Sequence, residues 1–465
     1  MLSSEDPTPP YPDGLRLESV DLFFRHGART PTAPIFLKEL GLPRFWPLCA
    51  GVQHRYTGVL PHDGGETDPI FSWRRALETF GPNDDGPVLA TGGDSLCNHG
   101  ELTDQGRAGM VALGAELRRL YIDRLQLFPA IMANPDRITF RSSPYPRALE
   151  SLQHVIRGFL PAGSRASTFG APRIVMRSPQ EETVLPNEDY CQRFIQISKA
   201  YMRRTADRWN HSPEVDYLNT LLGARMPSGQ RVAVDGKPRI HGIHDIIHST
   251  AASGSPGLRL PTEFHDAQVK QIVERIAFEE EFGGYEESHE LRVLGVGPLL
   301  GDVVQRMVQS AQRRDGARLF LAGSHDSTLG AIATALGAVD LRRPGNWPPY
   351  GSILAVELFR DEDPGLGDAS SPGAPPIGRM PTDALSARQQ EALAPYYVRL
   401  RYNNQSLVVP GCRAPGRNWR GDERFCTLAA FKEIVDRFTP ADWAQGCLTN
   451  LDRPGLPERI DPAGY

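Results

Sequence analysis

Three short polar turns, far apart in the chain, contain the residue types that bind and transfer phosphate. The first spans Arg25–Arg29 with the sequence RHGAR, the second begins at Arg141, and the third contains His325 and Asp326. An arginine keeps its charge at any ordinary pH, and its fork of N–H groups matches two oxygens of a phosphate. Three arginines in one pocket therefore favour an oxyanion ligand and would stabilise the charge on a phosphoryl group in transfer.

The histidine and the aspartate in these turns suit two complementary tasks. A histidine is a nucleophile when one ring nitrogen is unprotonated and the other is held by a hydrogen bond. Arg25 lies beside His26 and favours this neutral form by charge repulsion. Asp326 is suited to protonate a departing alcohol oxygen, since a bound phosphate dianion would raise its pKa. Neither task needs a metal ion, and we expect no cofactor.

The elements in front of the three turns are predicted strands. Each is a short run rich in apolar residues, as in a strand that enters the core of a sheet. The runs are Leu15–Phe24, Arg137–Phe140 and Arg318–Ala322. Ligand sites of open α/β sheets gather beyond the carboxyl ends of the strands. The sequence therefore predicts that the three turns converge on one pocket.

Helix signals follow the same turns. Thr103 is a predicted N-cap for a helix whose apolar residues recur at helical spacing. A second helix is predicted over Pro146–Leu160, with its proline in the first turn, where the missing N–H is tolerated. A third, made of small residues, is expected over Ser327–Leu336. The segment Pro69–Phe80 is a candidate for a short helix.

Two long segments interrupt this α/β pattern. Residues 31–98 are rich in Pro, Gly and Asp and predict a surface excursion. Residues 180–290 contain no convincing strand, and an amphipathic run from Thr262 to Phe282 predicts a helix there. This second segment is typical of an inserted helical domain.

Charge and hydropathy exclude several classes of partner. With 51 basic and 56 acidic residues the net charge is −5, so the basic excess typical of nucleic-acid binding is missing. The most apolar stretch, Val293–Val304, is interrupted by Pro298 and Asp302, and no transmembrane helix is expected. The predicted partner is a small phosphate monoester.

The cellular location is left open by the sequence. Residues 1–14 are acidic and rich in proline and carry no secretory signal, which favours the cytoplasm. Glycosylation sequons begin at Asn210 and Asn404, and these matter only in the secretory pathway.

The motifs resemble those of the histidine acid phosphatases, within the histidine phosphatase superfamily. RHGAR followed by Thr30 and Pro31 resembles the family's first signature, and the His325-Asp326 pair resembles its second. Similarity to the branch that contains lysophosphatidic acid phosphatase, and to the family as a whole, extends to further segments. These are Gly100–Gly106, Phe140–Ser143 followed by Arg147, Trp347–Pro349 and the region around Pro410–Cys412.

The resemblance implies a role for each residue of the turns. It implies that His26 becomes phosphorylated and that Asp326 protonates the leaving group. It also implies that the phosphate is bound by Arg25, Arg29, Arg141 and His325. The expected activity is therefore that of an acid phosphatase acting on phosphomonoesters, with the branch favouring lysophosphatidic acid as substrate.

The resemblance also implies a fold of the α/β class. This is a phosphoglycerate-mutase-like three-layer α/β sandwich with an inserted, mainly helical cap domain. On this basis residues 1–14 form a flexible N-terminus, and residues 15–175 and 290–465 form the phosphatase domain with its excursion at 31–98. The cap is expected over residues 176–289.

Six cysteines occur without a CxxC pair, so a zinc site or a thioredoxin-type motif is not indicated. The family resemblance implies two disulfides, Cys412–Cys426 and Cys191–Cys447. It gives no partner for Cys49 or Cys97.

Several other functions remain open at the level of sequence. The substrate could be an inositol phosphate, as for a phytase, or a sugar phosphate. A catalytically idle phospholigand-binding protein and a mutase share parts of the motif set. His325-Asp326 also resembles the pair of metal-dependent phosphohydrolases, but these need further His and Asp ligands that the neighbourhood lacks.

Two remaining features have modest functional weight in the sequence. His241, His244 and His248 share one helical face, an arrangement that could bind a metal ion, although a polar face of a cap helix is the simpler interpretation. Arg147 is interpreted as an ion-pair or packing residue at the start of its helix.

Overall fold

The computed structural model describes residues 11–51, 75–81, 86–227, 229–313, 316–339, 345–363 and 375–465. These residues contain eleven strands. They are β1 (Leu15–Arg25), β2 (Glu78–Phe80), β3 (Pro87–Leu89), β4 (Ile138–Ser142), β5 (Ile174–Val175), β6 (Leu319–Ser324), β7 (Ile353–Asp361), β8 (Tyr396–Tyr402), β9 (Gln405–Leu407), β10 (Asn418–Trp419) and β11 (Asp422–Thr427).

The described residues also form twelve α-helices. They are α1 (Asp104–Arg118), α2 (Pro146–Phe159), α3 (Gln192–Trp209), α4 (Pro213–Leu222), α5 (Ile240–Ser253), α6 (Ala267–Glu287), α7 (His289–Gly295), α8 (Gly297–Arg313), α9 (Asp326–Ala335), α10 (Ala387–Leu393), α11 (Leu428–Asp436) and α12 (Trp443–Gly446).

Nine strands form one mixed sheet in the order β10-β11-β8-β7-β1-β6-β4-β5, with β9 paired to β8. β1, β6, β4 and β5 run parallel, and β7 joins the other side of β1 in the antiparallel direction. The C-terminal half of β1 and all of β6 are buried. Strands buried on both faces read as continuous apolar runs, which is why the sequence identifies them.

Helices cover both faces of this sheet. On one face α1 and α2 pack against Leu22 and Phe24 of β1. Phe23 points to the opposite face, where α8 and α9 lie. Because successive side chains of a strand alternate between the two faces, one apolar run anchors both helical layers. The expected three-layer α/β sandwich is confirmed.

Glycines let α1 and α2 approach each other closely. A Cβ on Gly114 would lie 2.1 Å from the carbonyl oxygen of Val155, and one on Gly158 would lie 2.0 Å from that of Val111. Both distances are far below van der Waals contact, so the two backbones touch only because these side chains are absent. This contact fixes the position of α1, which begins beside the first of the three turns.

A third apolar cluster belongs to the helical segment. It contains the buried side chains of α4 and α5, the first half of α6, and residues 36–49 of the excursion. α6 runs without a break from this cluster, through Ile276, into the layer beside the sheet, where Phe282 packs. A cap over residues 176–289 therefore stays a prediction, because one continuous helix belongs to both packing units.

The excursion is the place where local structure differs from expectation. The short helix expected over 69–80 is not formed by its described residues, because Glu78–Phe80 pairs as a strand with Pro87–Leu89. Residues 69–74 lie outside the described part of the chain. Three-residue strands carry too few positions for their pattern to be distinguished from that of a helix.

All six cysteines are paired. The disulfides Cys191–Cys447 and Cys412–Cys426, implied by the family resemblance, are confirmed, and Cys49 forms a third bridge with Cys97. This third bridge ties the excursion to the strand-like segment in front of α1, where Trp46 pairs with Cys97. Within the described ranges, no helix is long and apolar enough to cross a membrane.

Gly106, in the first turn of α1, is the point at which this helix touches the RHGAR turn. A Cβ there would lie 2.1 Å from the carbonyl oxygen of Ala28, whereas Gly109 on the same helix is exposed with open space around it. Overpacking of this kind costs about 1–3 kcal/mol. We expect Gly106→Ala to lower the free energy of unfolding by this amount in urea titrations. Gly109→Ala should leave it unchanged or raise it by up to about 1 kcal/mol.

Equal stability of the two variants would contradict the steric contact between α1 and the turn.

Candidate active site

The three polar turns meet at one edge of the sheet because their strands end level with each other. In the register of the sheet Arg25 is opposite Ser324, and Ser142 is opposite Gly323. The backbone N–H of His26 donates to the Ser324 carbonyl at 3.1 Å, so the ladder extends one residue into the turn. The predicted convergence is thus a direct consequence of parallel pairing of β1, β6 and β4.

His26 is buried and held in one orientation. Its Nδ1 lies 3.0 Å from the carbonyl oxygen of Gly27, which can only accept a hydrogen bond. Nδ1 therefore carries the proton in the neutral ring, and Nε2 keeps its lone pair. Burial, followed by the positive charge of Arg147 and then of Arg29, holds the pKa of His26 well below its usual range. The surroundings of the ring therefore favour its neutral form.

Arg25 links the turn to the third motif. Its guanidinium donates to the Pro348 carbonyl at 2.6 Å and forms an ion pair of 2.7 Å with Asp326. The same group stacks 4.0 Å from the ring centre of Tyr350. With its plane fixed by three contacts, this guanidinium is positioned before any ligand arrives.

Arg29 is held by a different element. It forms an ion pair of 2.8 Å with Asp245 of α5, and Asp245 also accepts a hydrogen bond from the N–H of Thr32 at 3.1 Å. Burial alone would raise the pKa of Asp245, but Arg29 lowers it below its usual range. α5 is thereby tied to the edge of the sheet through one buried charge pair.

Asp326 is the first residue of α9, and its carboxylate accepts two hydrogen bonds in addition to its ion pair with Arg25. These come from the indole N–H of Trp347 at 3.1 Å and the N–H of Ser327 at 3.0 Å. Burial alone would raise the pKa of Asp326, but Arg25 and Arg29 hold it below its usual range. The carboxyl group is thus ionised in the structure as described, before any anionic ligand has changed its surroundings.

His325 precedes Asp326 and faces the nucleophile. Its Nε2 lies 2.8 Å from the hydroxyl of Ser143, and its ring meets that of His26 edge-on with centres 5.4 Å apart. Burial and then Arg147 hold its pKa well below the usual range. A neutral His325 can donate one hydrogen bond to an oxyanion without adding a charge.

Arg141 is already partnered in the structure. Its guanidinium binds both carboxylate oxygens of Glu182, at 2.6 and 2.9 Å, and both side chains are buried. The Glu182 carboxylate therefore neutralises the positive charge of Arg141, which the sequence predicts to bind the phosphate. The role of Arg141 stays a prediction.

Arg147, interpreted from sequence as an ion-pair or packing residue, instead acts on both histidines. Among the charged groups it lowers the pKa of His26 and of His325 the most. Its buried Nε has no hydrogen-bond partner among the described residues, and burial followed by Arg29 lowers the pKa of Arg147 to about 10. Surplus positive charge of this kind is what an oxyanion would neutralise. The sequence signal for this role was the position of Arg147 as the second residue of α2, because that helix begins directly after the second polar turn.

The face of α5 with three histidines packs against the site. The ring of His244 lies 4.3 Å from that of Trp347 and 4.1 Å from that of His248. Burial and then Arg25 lower the pKa of His248 to about 4, so it is neutral. No group of three or more His, Cys, Asp or Glu suited to a metal ion occurs in the described part of the chain. This face supports Trp347, which in turn holds Asp326.

Comparison with known proteins places this geometry in context. A model of the histidine phosphatase superfamily, branch 2, matches residues 16–403. A probable acid phosphatase of Schizosaccharomyces pombe is 32% identical over 460 residues, covering 94% of this chain and 95% of the relative. Mouse lysophosphatidic acid phosphatase type 6 is 23% identical over 365 residues, covering 75% and 77% of the two chains.

Solved structures show the same fold at low identity. Hafnia alvei phytase superposes with a TM-score of 0.55 at 16% identity, covering 94% of this chain and 99% of its own. The multiple inositol polyphosphate phosphatase of Bifidobacterium longum, solved with phosphate, gives 0.51 at 12% identity, covering 92% and 93%. At these identities the likeness concerns the arrangement of the elements.

Arg141, in β4, and Arg147, in α2, lead to different predictions for an anionic ligand. Arg147→Gln removes an unbalanced charge, so we expect inorganic phosphate to bind about 10- to 100-fold more weakly, as for the loss of one charge-assisted hydrogen bond. Arg141→Gln combined with Glu182→Gln removes a pair that is already neutral, so the dissociation constant should change by less than about threefold. Isothermal titration calorimetry with phosphate measures both.

Arg141→Gln leaves Glu182 buried without its cation, and a lower Tm is expected for that variant. The double variant Arg141→Gln/Glu182→Gln restores neutrality and serves as its control. Weaker phosphate binding in both Arg141 variants than in Arg147→Gln would reverse the assignment.

Proposed function

Because the chain belongs to branch 2 of the histidine phosphatase superfamily, we propose that it hydrolyses phosphomonoesters through a covalent phosphohistidine on His26, with Asp326 as proton donor. The observation that carries this proposal is the fixed ring of His26, whose Nδ1 is held by the Gly27 carbonyl. The positive charges of Arg147, Arg29 and Arg25 lower the pKa of this ring, and the same charges would attract a phosphate. No other described histidine combines this orientation with three guanidinium groups.

The first step forms a bond between His26 Nε2 and phosphorus. Arg25, Arg29 and Arg147 neutralise the non-bridging oxygens, and His325 donates a hydrogen bond to one of them. As the new P–N bond forms, the P–O bond to the alcohol breaks, and the leaving oxygen takes the proton of Asp326. The guanidinium groups are already oriented, so little reorganisation is needed in the transition state.

The protonation of Asp326 depends on the ligand. A phosphate dianion draws the positive charge of Arg25 and Arg29 to itself and adds negative charge beside the carboxyl group. Both effects raise the pKa of Asp326, which burial already favours in the absence of cations. Asp326 therefore takes up its proton with the bound ester and loses it to the alcohol.

The second step releases phosphate. A water molecule enters where the alcohol has left and attacks phosphorus, so a new P–O bond forms and the P–N bond breaks. The carboxylate of Asp326, now unprotonated, accepts the proton of the water, and His26 Nε2 recovers its lone pair. Atoms and protons balance over the cycle without a cofactor.

The named relatives suggest several esters. The mammalian relative is named a lysophosphatidic acid phosphatase, and solved neighbours are named phytases. We propose a small or lipid monoester as substrate of this chain, in line with the branch similarity. An idle phospholigand-binding protein is the weaker alternative, since the nucleophile and the proton donor are both present and oriented.

Trapping of the covalent intermediate tests the proposal. Brief mixing with a ³²P-labelled aryl phosphate at pH 5, followed by alkaline denaturation, should leave an acid-labile, base-stable label on the wild-type chain. His26→Ala should carry no label and lose turnover by at least about 1,000-fold, because removal of a nucleophile abolishes the covalent path. His211→Ala, which changes an exposed histidine, serves as the matched control and should keep the label.

A label that persists in His26→Ala would overturn the role of this residue, and an unlabelled, inactive wild-type chain would favour the idle protein.

The role of Asp326 is tested by the basicity of the leaving group. p-Nitrophenolate needs little protonation, whereas an alkoxide needs a full proton. We expect Asp326→Asn to lower kcat for an alkyl phosphate about 100-fold or more, the usual contribution of a general acid. For p-nitrophenyl phosphate the same variant should lose less than about tenfold. An equal loss on both substrates would show that Asp326 acts in another way.

A further inference from the structure

A cavity of about 430 Å³ opens beside Asp326, and Arg25, Arg29 and Arg147 are not among its lining residues. Its walls come from the segment 179–190, from α5 through His241, from α6 through Glu281, and from the start of α9. Because Asp326 is the proposed proton donor, the alcohol part of an ester must lie on its side of the phosphate. The cavity is therefore where the leaving group would be recognised, an inference that rests on the proposed function.

The walls of this cavity carry an excess of carboxylates. Glu188, Asp189 and Glu281 lie there together with Asp326, and none of the described lining residues is Lys or Arg. Glu182 also borders the cavity, but Arg141 neutralises it. The Nδ1 atom of His241 is 3.9 Å from the carboxylate of Glu281, and this histidine is charged only when protonated.

The carboxyl groups of the cavity affect the pKa values of their neighbours. Burial, then the charges of Glu188 and Asp326, hold the pKa of Glu281 well above its usual range. Burial also raises the pKa of Glu188. Arg239, which precedes α5 and pairs with Glu280, lowers the pKa of Glu188 and Glu281 but does not offset the effect of burial. The cavity is thus rich in carboxyl groups and has no fixed cation among its described lining residues.

We propose that the cavity selects phosphomonoesters by the charge of their alcohol, preferring an ammonium-bearing alcohol, accepting a neutral one and rejecting one that carries a second phosphate. An ammonium group placed here favours the ionised forms of Glu188 and Glu281, whereas a second anion raises their pKa values further and meets no cation in the described lining. The guanidinium groups of Arg25, Arg29 and Arg147 are not among the residues that line the cavity.

The preference distinguishes among the candidate esters. Inositol polyphosphates and sugar bisphosphates bring further anions into the cavity and are expected to be poor substrates. A lysophosphatidic acid releases an uncharged monoacylglycerol and is compatible with the cavity. Esters of amino alcohols fit its charge best.

A matched series of substrates tests this selection. 3-Aminopropyl phosphate, propyl phosphate and propane-1,3-diol bisphosphate share one chain and differ only in the charge at the far end. We expect kcat/KM of the wild-type protein to fall about tenfold or more at each step from ammonium to neutral to phosphate, since tenfold corresponds to about 1.4 kcal/mol. A flat series, or a preference for the bisphosphate, would overturn the proposal.

Two isosteric variants identify the residues responsible. Glu281→Gln should reduce about tenfold the ratio of kcat/KM for the ammonium ester to kcat/KM for the bisphosphate. Glu188→Gln, from a different element, should change this ratio in the same direction. Glu279→Gln is the matched control on α6, because Glu279 faces away from the cavity and pairs with Arg208 and the indole of Trp209. It should keep the wild-type ratios. If all three variants keep the wild-type ratios of kcat/KM, the cavity carboxylates do not select the substrate.

The outcomes separate this inference from the proposed function. Wild-type protein that forms the phosphohistidine with an aryl phosphate but shows a flat propyl series contradicts the charge selection alone. Wild-type protein that neither hydrolyses nor becomes labelled by any of these esters contradicts the proposed function itself. If one variant fails to fold, the other still decides between the alternatives, since the two carboxylates come from separate elements.

Discussion

Buried positive charge at the edge of the sheet is the constraint on which the site depends. Three guanidinium groups within reach of one imidazole would repel each other strongly in a water-poor environment. Two of them are stabilised by carboxylates from distant elements, Arg25 by Asp326 of α9 and Arg29 by Asp245 of α5. The third, Arg147, has no such partner at its buried Nε. The fold thus supplies two counter-charges and leaves room for a ligand to supply the rest.

Asp326 interacts with charges of both signs. Arg25 and Arg29 lower its pKa, and Asp326 in turn raises the pKa of Glu281, which lines the same cavity. A proton donor needs a pKa that changes during the reaction, and this position provides it because the cations can be taken over by the phosphate while the anions remain. Trp347 fixes the carboxyl group by its indole N–H, and the histidine face of α5 supports Trp347. Helices remote from the nucleophile therefore help to hold the acid.

The sequence predicts the parts of this structure that depend on local pattern. β1 and β6 are recognisable because burial on both faces demands continuous apolar residues, and α1 because Thr103 caps it by accepting a hydrogen bond from the N–H of Gly106. Parallel pairing then brings the turns together. The choice between Arg141 and Arg147 was different, because it depends on Glu182, a partner 41 residues away in a segment without a regular pattern. The Cys49–Cys97 bridge and the β2–β3 pairing likewise depend on contacts within an irregular excursion.

The contact between the RHGAR turn and α1 has a consequence for how such sequences can diverge. Gly27 and Gly106 each exclude a side chain because the backbone of the other segment occupies that space. The carbonyl of Ala28 accepts the N–H of Thr103, so the two segments are also joined by a hydrogen bond. Residues 100–106 supply no reacting group, yet they set the height of the nucleophile above the sheet. The two motifs must therefore evolve together. A change in either is tolerated only with a compensating change in the other. Recombination between them would join segments that do not fit.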